Sequence, residues 1–412
     1  GLLRPLVGRV VRALFAPRPP TRPARNLSVA GSFFEAGSGT TTTGSTGSEG
    51  VETTPPGLLL WRAILQWLGG IGIIIMAMSV LPFLSVGGMQ IFRTELSENE
   101  KALPRAAELA SSIGIAYVAL TIACALAYLA AGMNKFDAIT HAMTTLATGG
   151  YSNYDASLVH FQSETIEMIA VFLMFIAGIP FALYLKVSRG NLRPLATDPQ
   201  VRLFLTILAL ATFFMVIYLV TVRGMDLHLA FIGSSFNIVS LMTGTGYSSE
   251  HYDEWGGLVV AIMFFLMASG ACAGSTSCGI KLFRFQIFVS IAKVQLKKLI
   301  HPNGAFVPYY NGKPIPKDVP LSVMSFLFLY AVCFVVVALA LSATGLDFMT
   351  ALSGAITSIS NVGPGLGDII GPAGNFAPLP DSSKWVLTAS MLLGRLEILA
   401  ALVLLHPHFW KH

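Results

Sequence analysis

The sequence predicts an all-α, polytopic membrane protein made of four helix–pore loop–helix pseudo-repeats around a centre, with the leading helix of the first repeat missing. Only 11% of the 412 residues are charged and 54% are hydrophobic, whereas soluble domains carry about 25% charged residues. The hydrophobic residues form blocks of the length that crosses a bilayer. Four glycine-rich clusters recur along the chain. This composition excludes a disordered, collagen-like or disulfide-scaffold protein.

Seven blocks are long and apolar enough to be predicted as membrane spans. They cover residues 58–84, 108–131, 164–185, 201–222, 257–280, 319–343 and 384–405. Four shorter, half-apolar stretches lie at 32–46, 136–151, 227–247 and 346–367. Each of these is too short to span, and each ends in glycines that should break a helix.

The four glycine clusters read TTTGST at 41–46, ATGGYS at 147–152, TGTGYS at 243–248 and SNVGPG at 360–365. Small-residue helix packing is common in membranes and would explain any one of them. Four clusters with the same order of elements around them favour re-entrant turns instead. Non-helical backbone at membrane depth needs cover from protein or an aqueous cavity. Turns arranged around one axis would present carbonyl oxygens that can replace the hydration shell of a cation.

Basic residues predict the orientation of the chain, because cytoplasmic loops are enriched in Lys and Arg. The connections predicted to be cytoplasmic hold Lys186, Arg189, Arg193 and Arg202, and then Lys281, Arg284, Lys293, Lys297, Lys298, Lys313 and Lys317. The acidic loops that follow the glycine clusters would face outward. Residues 1–31 are rich in Arg and Pro and fit neither pattern, so we expect a truncated amino end. Arg62 and Lys384 lie near predicted span ends, where we expect their charged groups to reach the membrane surface.

The clusters resemble the four filter segments of the Trk/Ktr/HKT superfamily of potassium transporters, most closely the Trk-type bacterial potassium uptake membrane subunit. Further blocks share this resemblance, which covers about 32–405. They are residues 61–72, 272–281 and 393–397. The resemblance implies four repeats around one pore that carries K⁺. The repeat boundaries are then 32–107, 108–200, 201–318 and 319–412, after the atypical end at 1–31.

By this resemblance each repeat gives one filter glycine. The implied ion-binding residues are Thr42, Thr43, Gly44, Thr148, Gly149, Gly150, Thr245, Gly246, Asn361, Val362 and Gly363. A serine at the first of these glycine positions goes with sodium permeation in the superfamily, so Gly44 favours potassium. Pro364 departs from the regular pattern of tetrameric channels. It predicts a less regular row of carbonyls in the fourth segment, and therefore a less exacting selectivity for K⁺.

Small residues at 269–279 interrupt the predicted span 257–280, and the resemblance makes them an intramembrane gating loop. The implied gating residues are Gly270, Gly274, Ser275, Thr276, Ser277, Gly279, Lys281 and Arg395. A close helix-packing patch is the alternative for the loop. A charged residue within a span is costly and faces a partner or water. For Arg395 two roles stay open, a charge on the pore side that hinders cations and a donor to loop carbonyls.

The function that follows is a potassium-selective uptake pore of the prokaryotic inner membrane and not an enzyme. The resemblance implies a homodimer in membrane lipid, regulated by a cytosolic nucleotide-binding partner of the RCK type. Potassium is the expected transported ion; no organic cofactor, structural disulfide, zinc site or nucleic-acid partner is expected. An intramembrane enzyme is the first alternative, but HExxH and GxSxG motifs are absent from the sequence. A coupled transporter of organic solutes is the second, and would need a midplane pocket between broken helices.

Overall fold

The computed structural model describes residues 28–79, 87–92 and 102–405, and the predicted helical class is what these residues form. The amino end predicted at 1–31 lies outside the described residues except for 28–31. The α-helices are, in chain order, α1 (Val29–Thr40), α2 (Pro56–Ser79), α3 (Ala102–Ala130), α4 (Lys135–Leu146), α5 (Glu164–Ala177), α6 (Phe181–Val187), α7 (Arg193–Thr197), α8 (Pro199–Arg223), α9 (Leu227–Thr243), α10 (Gly257–Ala268), α11 (Leu282–Ile300), α12 (Val319–Ala343), α13 (Phe348–Ser360), α14 (Asp381–Arg395) and α15 (Ile398–Leu405). Short 3₁₀ turns occur at Val51–Thr53, Met89–Phe92, Ser157–Phe161 and Tyr252–Trp255, and a two-stranded antiparallel hairpin pairs β1 (Tyr309–Tyr310) with β2 (Lys313–Pro314).

Among the described residues, α2, α3, α8 and α12 are long and apolar enough to cross a membrane by themselves. Helices α5 and α6 qualify together but meet at a bend of 94°. Pro180 lies at this bend and has no N–H for a helix bond. The next amide, Phe181 N–H, donates to the carbonyl of Gly274 in another part of the chain, with 2.9 Å between N and O. Predicted span 164–185 is therefore a broken element.

The predicted spans 257–280 and 384–405 are likewise not continuous helices, so the count of seven spans is too high for the described chain. Helix α10 ends at Ala268 and α11 begins at Leu282. Helix α14 ends at Arg395, two residues before Glu397, which has a φ of +59°. A non-glycine residue in this conformation is uncommon and interrupts a helix. Arg395 therefore lies at a helix end and not in the middle of a span.

Four short helices, α1, α4, α9 and α13, share the same design. Each begins at a polar cap whose side chain accepts a backbone N–H of the first turn. These caps are Ser28, Asn134, Asp226 and Asp347. Glu35 lies in the middle of α1, where it is buried and paired with Arg62.

Each short helix packs between longer helices, and the last long helix, α14, connects the last short helix back to the first. Helix α1 packs against α2 and α14, α4 against α2 and α3, α9 against α8 and α5, and α13 against α12 and α14. Helix α14 thus touches both the first and the last short helix. The carboxyl ends of the four short helices consequently meet at one place, and the four glycine clusters begin there.

Candidate functional site

The backbone of the four glycine clusters follows one conformational pattern, and we call residues 41–46, 147–152, 243–248 and 360–365 turns 1 to 4. In each turn two residues spaced two apart have positive φ. The pairs are Thr42 and Gly44, Thr148 and Gly150, Gly244 and Gly246, and Asn361 and Gly363. Positive φ costs a non-glycine residue on the order of 1–3 kcal/mol and persists only where the surroundings impose it. The first member of three of these pairs bears that cost.

The second glycine of each turn lies against a carbonyl of the next turn. A Cβ atom added to Gly44 would overlap the carbonyl oxygen of Gly149 in turn 2. The same addition to Gly150 would overlap the Thr245 oxygen of turn 3, and at Gly246 it would overlap the Val362 oxygen of turn 4. A Cβ at Gly363 would lie 2.7 Å from the Thr43 oxygen of turn 1. The four contacts run from turn to turn and return to the first, so the turns form a closed ring, which we call the glycine ring.

The threonine hydroxyls of the turns already have protein partners. Thr43 Oγ1 accepts from the Asn361 amide (2.9 Å) and is 2.7 Å from Thr41 Oγ1. Thr245 Oγ1 lies 2.8 Å from Thr243 Oγ1, and the Thr148 hydroxyl donates to the Ala147 carbonyl. Backbone carbonyls are accordingly the oxygens that the ring offers for binding an ion.

A cavity of about 80 Å³ opens on one side of the glycine ring. All four ring glycines line it, together with polar residues that include Ser152, Ser248 and Asp155. One Asp155 oxygen accepts the Val51 N–H over 3.1 Å. This cavity is large enough to hold several water molecules beside the ring.

The loop at 269–281 lies on the other side of the ring. Cys278 Sγ is 3.9 Å from Thr42 Oγ1 in turn 1, and a Cβ at Gly244 would lie 3.7 Å from the Cys278 nitrogen. The loop is closed at its base because Gly270 N–H donates to the Ile280 carbonyl (2.8 Å). Positive φ at Gly274 and Gly279 gives the turns that the segment needs.

Two basic side chains hold this loop. The Arg395 guanidinium donates to the Gly69 carbonyl of α2 (2.8 Å) and to the Thr276 carbonyl (3.4 Å), and it also contacts Cys278 Sγ. The Lys281 ammonium donates to the Ser277 carbonyl. A cavity of about 20 Å³, room for one water molecule, lies between the loop, Gly394 and Arg395. The sequence left two roles open for Arg395, a charge on the pore side and a donor to loop carbonyls. Its position is compatible with both, since it donates to the Thr276 carbonyl of the loop and lines this cavity.

Other predicted loop residues contact the broken element α5–α6. The Thr276 hydroxyl donates to the Ala177 carbonyl (3.1 Å), and the Ser275 hydroxyl donates to the Cys272 carbonyl (2.7 Å). Gln200 at the start of α8 accepts the Ala273 N–H (2.8 Å). The loop therefore has hydrogen bonds to α5, α6, α8 and α14, which is more than a close helix-packing patch requires.

Buried polar residues near the ring were missed by the sequence analysis. Arg62 was expected at a membrane surface, but it is buried: its Nε donates to Glu35 Oε1 (2.8 Å) and its Nη2 to Thr46 in turn 1 (2.9 Å). Lys384 is also buried and donates to the Ala377 carbonyl. Gln66 of α2 contacts turn 2. The sequence did contain a signal for these buried contacts, namely a polar residue within an apolar block. Such residues are costly in a membrane and normally have a partner.

Comparison with known proteins identifies the family. The family described as TrkH, cation transport protein, matches residues 18–411. The chain is 46% identical to the Trk system potassium uptake protein TrkI of Halomonas elongata, over 96% of this chain and 81% of that protein. It is 37% identical to the Trk system potassium uptake protein TrkH of Escherichia coli K12, over 94% of this chain and 80% of that protein.

A solved structure supports the same assignment. The potassium transporter TrkH from Vibrio parahaemolyticus superposes with a TM-score of 0.84 at 36% sequence identity, covering 93% of this chain and 80% of that one. The fold and these relatives define a membrane transport protein and not an enzyme. The chain belongs to the TrkH family of cation transport proteins.

Proposed function

We propose that this chain is a potassium-selective uptake pore whose selectivity filter is the glycine ring. The observation that carries the proposal is the closed circuit of contacts from Gly44 to Gly149, Gly150 to Thr245, Gly246 to Val362 and Gly363 to Thr43. Carbonyl oxygens arranged in this way can take the place of water around K⁺. The four short helices point their carboxyl ends, which carry partial negative charge, toward the same place and favour a cation there. The relatives are potassium uptake proteins by name, which supports this ion.

The filter residues of the proposal belong to the four turns. They are Thr42, Thr43, Gly44, Thr148, Gly149, Gly150, Thr245, Gly246, Asn361, Val362 and Gly363. Each turn follows one short helix and is followed by a longer stretch of chain that contains further helices. This shared order supports the division into four pseudo-repeats at 32–107, 108–200, 201–318 and 319–412. Within the first repeat the structure describes residues 32–79, 87–92 and 102–107.

The 269–281 loop is the proposed gate. It lies between the glycine ring and the cavity that Arg395 and Lys281 line. Two positive charges on this path oppose a cation by several kcal/mol at the effective dielectric of a protein interior. Movement of Gly270, Gly274, Ser275, Thr276, Ser277 and Gly279 away from the path, together with Arg395, would open the pore.

The proposed setting is a homodimer in the inner membrane with a cytosolic regulatory partner of the RCK type. The basic residues at 186–202 and 281–317 are mostly exposed in the described chain, which supports a docking surface there. Lys293, Lys297 and Lys298 all lie on α11, beyond its buried first turns. Positive charge on this side also agrees with a cytoplasmic face.

Flux into proteoliposomes tests the function directly. The full chain is reconstituted, and uptake of K⁺, Na⁺ and a small organic solute is measured under equal gradients. A filter of carbonyl oxygens gives K⁺ uptake well above Na⁺ uptake and no solute uptake. Solute uptake dependent on a Na⁺ or proton gradient would instead favour a coupled transporter and would reject the pore.

Gly246→Ser tests the location of the filter. The added Cβ overlaps the Val362 oxygen, so that carbonyl must move and the K⁺/Na⁺ permeability ratio should fall, by about tenfold if the displaced oxygen costs roughly 1.4 kcal/mol. Gly312→Ser is the matched control, because Gly312 has a φ of +75°, close to the +78° of Gly246, and has open space around it. An unchanged ratio in a folded Gly246→Ser protein would place the filter elsewhere.

A further inference from the structure

Gln66 makes a two-point contact with turn 2, and the described part of the chain has no equivalent contact at the other ring carbonyls. Its side-chain nitrogen donates to the Gly149 carbonyl (2.5 Å), and its side-chain oxygen accepts the Tyr151 N–H (3.1 Å). Gln66 lies on α2, outside every turn, and its side chain is fully buried. We infer that Gln66 is a specificity-determining residue that positions the Gly149 carbonyl of the filter, an inference that rests on the proposed function.

The two hydrogen bonds of Gln66 lie on either side of one ring residue, Gly150. The Gly149 carbonyl and the Tyr151 amide flank Gly150, whose φ is +73°. One planar amide group therefore fixes the peptides on both sides of the ring glycine. Glycine at 149 is required for the contact, because an added Cβ would lie within overlap distance of the Gln66 amide. A primary amide is the simplest neutral group that donates and accepts at this spacing.

The Gln66 contact also makes the four carbonyl oxygens of the ring differ in their hydrogen bonding. The corresponding carbonyls of Thr43, Thr245 and Val362 have no side-chain donor among the described residues. The Gly149 oxygen has two lone pairs, one for Gln66 and one for an ion. Its orientation is therefore set by α2, whereas the other three oxygens are set by the turn backbone. The K⁺/Na⁺ ratio should depend on a residue that itself never touches the ion.

Neighbouring contacts reinforce turn 2 without replacing Gln66. The Tyr151 hydroxyl donates to the Glu35 carbonyl (2.8 Å), and the Arg62 guanidinium carbon lies 3.9 Å above the centre of the Tyr151 ring. These contacts hold the side chain of Tyr151, whereas Gln66 holds the backbone. Loss of the Gln66 amide should therefore loosen the carbonyl while turn 2 stays in place.

The test compares K⁺ and Na⁺ permeability of reconstituted variants. Gln66→Met has similar length and no hydrogen-bonding group, and we expect its K⁺/Na⁺ ratio to fall about 3- to 10-fold, as expected for buried groups left without a partner. Gln66→Glu offers one donor and one acceptor when its carboxyl is protonated. Its ratio should exceed that of Gln66→Met and approach the wild-type ratio as the pH is lowered.

Gln286→Met is the control, since Gln286 is half-buried and its side-chain nitrogen also donates to a backbone carbonyl, that of Pro199 (2.7 Å), outside the turns and the loop; its ratio should remain that of the wild type. If Gln66→Met does not fold, Gln66→Asn replaces it, because its amide is one methylene too short. A wild-type ratio in folded Gln66→Met, or equal ratios in Gln66→Glu and Gln66→Met at every pH, overturns the inference. Should Gly246→Ser still shift the ratio in that case, the filter stands and only the role of Gln66 fails.

Discussion

Arg284 and Glu397, 113 residues apart, form a buried ion pair in which Arg284 Nη2 donates to Glu397 Oε2 over 2.6 Å. Arg284 Nε also donates to the Gly87 carbonyl (2.9 Å), and the guanidinium carbon lies 3.7 Å from the centre of the Phe326 ring. The pair thus ties the start of α11 to the break between α14 and α15 and to the segment at residue 87. Its position next to Arg395 places it directly behind the proposed gate.

Breaking this pair should destabilise the protein strongly. Arg284→Met leaves the Glu397 carboxylate buried without its partner, and such a change typically costs about 3–5 kcal/mol. Thermal unfolding of the detergent-solubilised protein measures the loss. The exposed pair His228–Glu164 is the matched control; His228→Ala should cost at most about 1 kcal/mol. The double change Arg284→Met with Glu397→Met should cost less than Arg284→Met alone, because no buried carboxylate is then left without a partner; equal costs would mean that the unpaired Glu397 is not the source of the loss.

Arg395→Ala should raise basal K⁺ flux in proteoliposomes. The change removes a positive charge from the conduction path and the bonds to Thr276 and Gly69 that hold the loop. We expect an increase of about tenfold or more, because removing one such charge relieves more than 1 kcal/mol of repulsion. Arg202→Ala serves as control, since Arg202 is exposed and its side chain donates to the Ala196 carbonyl. A lower flux at equal protein incorporation would contradict the gating role.

Asp347 should contribute pH-dependent stability to the helix before turn 4. Its carboxylate accepts the Thr350 N–H (3.0 Å), and hydrogen bonds from Thr350 lower the pKa of this carboxyl. A lowered pKa in the folded state means that the stabilisation is present above the unfolded pKa and is lost as pH falls through the folded pKa. Asp347→Ala should cost about 0.5–1 kcal/mol at pH 7 and less at pH 3.

Thermal unfolding of wild type and Asp347→Ala at pH 7, 5 and 3 checks this expectation. Asp347→Asn keeps a capping oxygen without the charge. It should therefore stay close to the wild type, with a difference that narrows on acidification. A gap between wild type and Asp347→Ala that widens as pH falls would show that the cap is not the source of the effect.

The four turns could be predicted from the sequence because glycine has a structural meaning that does not depend on distant residues. Only residues without a Cβ fit where four backbones approach each other, and such residues repeated in four similar settings indicate one shared site. Interruption of the span 257–280 was predictable for the same reason. The all-helical class followed from the length and apolarity of the blocks.

The side-chain supports of the ring could not be predicted in this way. Gln66 and Arg62 beside the ring, and Arg284 behind the loop, find partners 16 to 113 residues away in the chain, and the local sequence pattern contains no information on which distant residues pair. The end of α14 at Arg395 was missed for a related reason. Residues 384–405 read as one apolar block, and only the tertiary pairing of Glu397 shows why the helix is broken there.

The contact of Gly363 with Thr43 has a consequence for biosynthesis. The oxygen that completes the circuit belongs to Thr43 of turn 1, and the glycine beside it, Gly363, belongs to turn 4, much later in the chain. Phe376 N–H also bonds the Thr46 carbonyl, and α14 packs on α1. The ring therefore stays open in a nascent chain until turn 4 has been made, and under the proposed function an interrupted product that lacks turn 4 has no complete filter.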